Sequence, residues 1–150
     1  MDRPWVSMDV HLRYRRTGPN GRRRARWSGG GAIVATREEL RTLNGEFADA
    51  LEQRDADRLA ELYVDDAVFL VQGSPTVTGR AAIREMMASL PASTKRTSFE
   101  TVEVYEDGDL VVDVGTLLSD GTRVGSYVVV YRRQADGTLK IAVDVPISDH

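Results

Sequence analysis

The sequence has no cysteine among its 150 residues and only two histidines, His11 and His150. Without cysteine there are no disulfide bonds, thiolate zinc sites or thiol nucleophiles, so packing of the core has to stabilise the fold. Between the two histidines there is no imidazole to bind a metal or act as a base. We therefore expect no metal and no cofactor, and any site chemistry must come from carboxylates and phenols.

Long apolar runs are also missing. No segment approaches the roughly 18 apolar residues that would span a bilayer. A secretory signal would need a stretch of about 7 to 15 apolar residues after its basic start, and the sequence has no such stretch there. The Arg15-Arg16 pair is followed by the polar residues 17–20, which argues against twin-arginine export. We expect a soluble, cytoplasmic protein that does not bind membranes.

Charge is divided unevenly along the chain. Residues 1–35 have a net charge of +6, whereas residues 36–150 have a net charge of −9. The basic segment lacks helical or strand periodicity, so we predict a disordered tail. Its arginine cluster at residues 22–27 suits nucleic acid or anionic lipid, but we favour plain disorder or translated sequence upstream of a start at Met8 or near Val34. The acidic remainder, which we take as one folded domain, argues against nucleic-acid binding.

Two helices are predicted at the start of this domain. Thr36 and Glu39 fit a capping box, which predicts that a helix of roughly residues 37–53 begins there, with apolar residues at helical spacing on one face. Asp55 or Asp57 is placed to cap a second, shorter helix.

A short hairpin and a third helix are predicted next. Asp65 and Asp66 are interpreted as a turn that ends the second helix, and the apolar run 67–71 is short enough for a buried strand. Residues 76–78 are predicted to form a brief return strand, and residues 80–90 the third helix.

The last third of the chain is predicted to be a meander of strands. Asp-Gly pairs, which favour hairpin turns, divide it. The predicted strands cover about residues 98–106, 109–119, 122–133 and 138–146. Helices followed by long strands predict an α+β fold, with helices on one face of a curved antiparallel sheet. Both alternating sets of strand residues are largely apolar, as at Val128 and Val129, so we expect each face of the sheet to be covered.

Several segments resemble a known family. Residues 62–69, Leu-Tyr-Val-Asp-Asp-Ala-Val-Phe, and residues 79–84, Gly-Arg-Ala-Ala-Ile-Arg, resemble the signature of SnoaL-like and ketosteroid-isomerase-like proteins. Residues 125–133 and 139–144 are similar to the last two strands of that superfamily. The resemblance implies the cone-shaped nuclear-transport-factor-two-like (cystatin-like) fold, in which three N-terminal helices pack on a curved antiparallel sheet. It also implies a mostly apolar pocket and a homodimer through the convex sheet face.

The residues that ketosteroid isomerases use are absent. The resemblance places the proton-shuttling carboxylate at Val71, the oxyanion-binding tyrosine at Phe47 and the acidic partner near Val129. None of these side chains can perform the corresponding role, so we do not expect steroid isomerase activity of that type.

Asp144 interrupts an apolar strand, and a buried charge is costly unless its pKa rises or it gains hydrogen bonds. Counting through a two-residue turn at the last Asp-Gly pair places Asp144 opposite Val129, on the same face as Tyr127 and Tyr131. We interpret Asp144 as a general acid or base, with Tyr127 or Tyr131 as hydrogen-bond donor to a developing oxyanion. Alternatively, Asp144 only accepts structural hydrogen bonds.

Asp113 interrupts another apolar strand and is a second catalytic candidate. The equivalent count pairs it with Val128, on the other face, unless a bulge intervenes, whereas the resemblance places it on the concave face. The predicted pocket residues are Phe47, Tyr63, Phe69, Val71, Met86, Val129 and Tyr131, although Tyr63 suits core packing at a helix end as well.

Two classes of function agree with these observations. The first is a cofactor-free acid–base isomerase or cyclase of the SnoaL-like type, acting on an apolar metabolite such as a polyketide. The second is a non-catalytic module for ligand binding or dimerisation.

Overall fold

The computed structural model of the chain describes residues 30–149, with side chains from residue 36 onward. The predicted disordered tail therefore lies largely outside the described residues. The elements are α1 (Gly30–Glu52), α2 (Ala56–Glu61), β1 (Tyr63–Phe69), β2 (Val77–Thr78), α3 (Arg80–Ser89), β3 (Thr97–Asp107), β4 (Leu110–Ser119), β5 (Thr122–Arg133) and β6 (Leu139–Ser148). In the described part of the chain, no helix has both the length and the apolarity needed to cross a membrane.

All six strands form one sheet in the order β2-β1-β6-β5-β4-β3. The β1–β6 pair is parallel, and the other neighbouring pairs are antiparallel. The predicted α+β architecture, with three helices and a four-strand meander, is confirmed. The strand boundaries of the meander lie within two residues of the predicted ones.

The predicted capping box at the start of α1 is wrong. The helix begins at Gly30, so Thr36 lies within it. The Thr36 hydroxyl donates to the carboxylate of Glu106 on β3, and the Glu39 carboxylate accepts hydrogen bonds from Arg133 on β5. Both side chains therefore bind the sheet instead of the helix end.

The α2–β1 connection also differs from the prediction. Asp55 caps α2 as expected, accepting from the Arg58 backbone N–H at 3.0 Å. Asp65 and Asp66, however, lie within β1 and do not form a turn. Their carboxylates face solvent, where Asp65 pairs with Arg80 at 2.7 Å and Asp66 with Arg132 at 3.3 Å.

β1 is irregular where these aspartates lie. Between Tyr63 and Val68 its register against β6 shifts, and this bulge turns two consecutive carboxylates outward. Tyr63 is thereby the first residue of a strand and not the end of a helix.

Two further bulges decide which residues face the helices. Val124 has no partner in the β4–β5 ladder, and Ala142 has none in the β5–β6 ladder. Each extra residue reverses the alternation of faces beyond it. As a result Asp113 and Asp144 lie opposite Val129 from its two sides.

The helices cover the concave face of the sheet. The core there combines α1, α2 and α3 residues with strand residues, including Leu40, Leu59, Ile83, Tyr63, Tyr127 and Tyr131. The convex face bears half-buried apolar side chains, namely Val112, Val114, Leu118, Val128, Val130, Val143 and Val145. One face of the sheet thus forms the core, and the other is an apolar outer surface.

Candidate functional site

A cavity of about 280 Å³ lies between the helices and the concave face. Its polar lining residues are Asn44, Thr97, Tyr127, Tyr131 and Asp144, and the other twelve are apolar. This volume is at the lower end of the range of small-molecule sites, and an apolar lining with few polar groups is typical of them. The cavity therefore suits a compact apolar ligand.

Most of the predicted pocket residues line this cavity. They are Phe47, Phe69, Val71, Met86, Val129 and Tyr131, and of the predicted catalytic residues Asp144 and Tyr127 do so too. Tyr63 does not, because it is wholly buried behind the wall. Asp113 is likewise wholly buried and outside the lining.

Of the residues that the structure describes, Asp144 is the one carboxylate that lines the cavity. Only 6% of its surface is exposed, and its Oδ2 accepts a 2.6 Å hydrogen bond from the Tyr63 hydroxyl. Burial raises the pKa of Asp144 to about 6, although the bond from Tyr63 lowers it. No described residue donates to Oδ1, so this oxygen is left for a molecule in the cavity.

Tyr63 is held in place by contacts to both its backbone and its ring. The Arg80 side chain donates from Nε to the Tyr63 carbonyl oxygen at 3.0 Å, and the Phe47 ring packs against the phenol with centroids 6.3 Å apart. Burial and the neighbouring Asp144 raise the pKa of Tyr63 well above its usual value, so the phenol stays a proton donor. Tyr63 therefore acts on the site through Asp144.

Asp113 belongs to a buried ring of hydrogen bonds. Its Oδ2 accepts from the hydroxyls of Tyr127 at 3.1 Å and Thr101 at 3.2 Å. Both hydroxyls accept in turn from the Asn44 side-chain amide, each at 3.2 Å. Because an amide nitrogen only donates, this ring directs both hydroxyl protons toward Asp113.

The Asp113 carboxyl is incompletely satisfied. Its Oδ1 is the only buried side-chain polar atom without a hydrogen-bond partner among the described residues. Burial raises the pKa of Asp113, and the hydrogen bonds from Tyr127 and Thr101 oppose this. Counting along the sequence placed Asp113 on the face opposite Asp144 unless a bulge intervened. The structure has that bulge at Val124, so Asp113 lies on the concave face.

Tyr127 lines the cavity, yet its proton points to Asp113. A β-carbon at Gly115, opposite Tyr127 in the ladder, would overlap the phenol and the Glu100 carbonyl oxygen. Burial is the main cause that raises the pKa of Tyr127. The predicted role of Tyr127 as donor to a ligand oxyanion therefore conflicts with the hydrogen bond that it makes.

The sequence analysis missed Asn44, which lines the cavity and orients the ring around Asp113. One signal was available. Asn44 lies four residues after Leu40 and three before Phe47, on the buried face of α1, where a polar residue is unusual. No metal site accompanies these groups, since the described residues contain no cluster of three or more potential metal-ligating acidic, histidine or cysteine side chains.

The comparison with protein families gives one match. The profile of the SnoaL-like domain matches residues 45–143, which include the end of α1, α2, α3, the strands β1 to β5 and the first half of β6. No curated protein matches the chain in sequence.

Solved structures share the fold at low sequence identity. An NTF2-like protein with a cystatin-like fold from Novosphingobium aromaticivorans is 23% identical, with 78% of this chain and 84% of that chain covered and a TM-score of 0.64. A putative dehydratase of the NTF2-like family from Streptomyces avermitilis is also 23% identical, with 79% and 99% covered and a TM-score of 0.60. A hexachlorocyclohexane dehydrochlorinase, LinA-type3 from Novosphingobium barchaimii, is 19% identical, with 81% and 92% covered and a TM-score of 0.61. At these identities the likeness shows the fold alone.

Proposed function

The chain belongs to the SnoaL-like domain family, and from that premise we propose that it is a cofactor-free acid–base enzyme that transfers a proton within a compact apolar metabolite. The observation that supports the proposal is the placement of Asp144. It is a nearly buried carboxylate on the wall of an apolar cavity. One of its oxygens accepts a hydrogen bond from Tyr63, and the other has no partner in the described part of the chain.

The pKa of Asp144 suits this chemistry. A general base works best when its pKa lies near the working pH. With a pKa of about 6, Asp144 is mostly ionised at neutral pH and is still basic enough to take a proton from a weak acid. After accepting the proton on its free oxygen, the same group can return it to another atom of the substrate, which is an isomerisation.

Asp113 has a supporting role in this proposal. It does not reach the cavity and cannot contact the substrate, so a positioning role replaces the catalytic role predicted from the sequence. Through Tyr127 and Asn44 it fixes the wall that faces the ligand.

The substrate proposal follows from the cavity. Its lining is apolar apart from a few hydroxyl, amide and carboxyl groups, and its volume of about 280 Å³ limits the ring system that it can hold. Compact cyclic ketones of the kind that polyketide pathways produce meet both conditions, and the reaction would be an isomerisation or cyclisation. The absence of histidine between residues 11 and 150 disfavours reactions that need a His–Asp pair.

Deuterium exchange tests the proposal without knowledge of the product. Ketones such as 2-tetralone are incubated with the protein in D2O, and loss of the α-proton signal is followed by NMR. Faster exchange than with Asp144→Asn is expected if Asp144 abstracts protons. Binding of the ketone with exchange no faster than in that variant would instead favour the non-catalytic ligand-binding module.

We also propose that the protein is a homodimer through the convex sheet face. The half-buried valines of β4, β5 and β6 form an apolar outer surface. Apolar area of this kind is stabilised when a second copy covers it.

A further inference from the structure

Three tyrosine hydroxyls lie around the cavity, and they differ in hydrogen bonding. Tyr63 donates to Asp144, and Tyr127 donates to Asp113. The Tyr131 hydroxyl has no hydrogen-bond partner among the described residues. Buried tyrosine hydroxyls usually find a partner. The Tyr131 hydroxyl can therefore hydrogen-bond to a ligand that is not part of the described chain.

The residue that carries this hydroxyl lines the cavity. Tyr131 is only 3% exposed and lines the cavity wall. Among the described residues, Asp113 Oδ1 is the only side-chain polar atom that is both fully buried and without a hydrogen-bond partner. The Tyr131 oxygen also lacks a partner, so it must keep some accessible surface. Burial, together with the carboxylates of Asp113 and Asp144, raises the pKa of Tyr131 well above its usual value. The group is thus a neutral proton donor.

Tyr131 and Asp144 are close enough to contact one ligand. Asp144 lies opposite Val129, and Tyr131 lies two residues further along β5 on the same face. Such diagonal neighbours have Cα atoms about 7–8 Å apart, within reach of long side chains. Asp144 Oδ1 has no partner among the described residues either. An apolar wall therefore presents one unoccupied donor and one unoccupied acceptor side by side.

We propose that Tyr131 is the ligand-binding donor of this site, and that its hydroxyl bonds an oxygen of a compact apolar molecule. In this orientation the C–H bond on the carbon next to the oxygen-bearing group points toward Asp144. The inference therefore rests on the proposed function. The ligand class is a neutral ring compound with a carbonyl or ether oxygen. Pure hydrocarbons leave the hydroxyl unsatisfied, and anions are repelled by the ionised Asp144.

Three ligands with one ring skeleton test the proposal. They are tetralin, a hydrocarbon, isochroman, a cyclic ether, and 2-tetralone, a ketone. Affinities for the full chain and its variants are measured by ligand-observed NMR titration at pH 8, where Asp144 is ionised. We expect 2-tetralone to bind about tenfold more tightly than tetralin, as one hydrogen bond predicts. The rank of isochroman decides whether an ether oxygen suffices or a carbonyl is required.

Two phenylalanine substitutions localise the donor. Tyr131→Phe should bind 2-tetralone and tetralin about equally, whereas Tyr127→Phe should keep the preference because its hydroxyl already donates to Asp113. A preference that survives in Tyr131→Phe would overturn the assignment. Equal binding of both ligands to the unmodified chain, or no binding of either, would overturn it as well.

A measurement on the unmodified chain covers the case in which Tyr131→Phe does not fold. With ¹³C-labelled tyrosine, the Tyr131 ring-carbon resonance next to oxygen should shift on addition of 2-tetralone and much less with tetralin. Equal shifts would contradict the proposal. If the unmodified chain shows no preference for 2-tetralone over tetralin, this inference is refuted even if deuterium exchange persists. If the unmodified chain keeps the preference but exchanges no faster than Asp144→Asn, only the catalytic proposal is refuted.

Discussion

The hydroxyl of Tyr63, the first residue of β1, donates a 2.6 Å hydrogen bond to Oδ2 of Asp144 on β6. The bond favours the ionised carboxylate and so opposes burial, which favours the neutral form. It also fixes the orientation of the carboxyl group. The pair therefore sets both the proton affinity and the direction of the group that we propose as the catalyst.

Replacement of the carboxyl group should abolish proton transfer. Asp144→Asn keeps the shape and can still accept from Tyr63, but it has no titrating oxygen. We expect α-proton exchange to fall by roughly 10²–10⁴-fold, the usual contribution of a positioned base. In the unmodified protein the exchange rate should rise through about pH 6 and level off above it. A rate that is unchanged in the variant would exclude Asp144 as the base.

The same substitution should alter how stability depends on pH. The folded-state pKa of Asp144, about 6, is above the usual 3.8, so folding favours the protonated form. Asp144 should therefore contribute a loss of stability on the order of 3 kcal/mol as pH rises from about 4 to above 6. Asp144→Asn should lack this loss. Urea unfolding at pH 4 and pH 7.5 measures the free energy of unfolding of both proteins. If this free energy changed by the same amount in both between the two pH values, burial of the Asp144 carboxylate would be contradicted.

Tyr63→Phe should act on the site without touching the ligand. Asp144 loses its donor, so the rising limb of the exchange profile should move to higher pH. We expect a stability loss of about 1–3 kcal/mol at neutral pH, because a buried carboxylate is left less satisfied. A purely structural role of Tyr63 would lower stability and leave the pH profile in place.

Gly115 should be intolerant of a side chain. A β-carbon there overlaps the Tyr127 phenol and the Glu100 carbonyl, and we expect Gly115→Ala to destabilise the protein by about 1–3 kcal/mol. Gly45→Ala is the matched control. A β-carbon at Gly45 would meet no atom within 4 Å, and within α1 alanine should stabilise by roughly 0.5–1 kcal/mol. Chemical denaturation of both variants checks the opposite signs.

A charge on the convex face should disrupt the proposed dimer. Val128 lies at the middle of that face and is half-buried. Val128→Asp should shift sedimentation equilibrium toward the monomer, and Val128→Thr, which keeps the shape without a charge, should do so much less. A monomer at tens of micromolar for the unmodified protein would reject the interface.

Local sequence patterns predicted most of the fold because their causes are local. Asp-Gly pairs favour positive φ, and Asp120 and Gly121 adopt φ values of 48° and 78° at the β4–β5 turn. The face of Asp144 was predicted correctly although the turn was not. Residues 134–138 separate the paired ends of the strands, and the bulge at Ala142 restores the predicted pairing with Val129.

The features that the sequence did not predict depend on distant partners. Asp65 and Asp66 resemble a turn, but the pairing of β1 with β2 and β6 places them in a strand. Tyr63 is consequently a strand residue that faces Asp144, 81 positions away. The bulge at Val124 likewise follows from strand pairing, so the orientation of Asp113 could be stated only conditionally.

The bulges at Val124 and Ala142 have a consequence for comparisons between related chains. A chain with the same turns that paired these strands without a bulge would present the neighbouring aspartate on the opposite sheet surface, even if every side chain were identical. Strand register is thus a chemical variable in its own right. Roles should therefore be transferred within this family by strand pairing, since matching letters at aligned positions does not guarantee that two carboxylates face the same compartment.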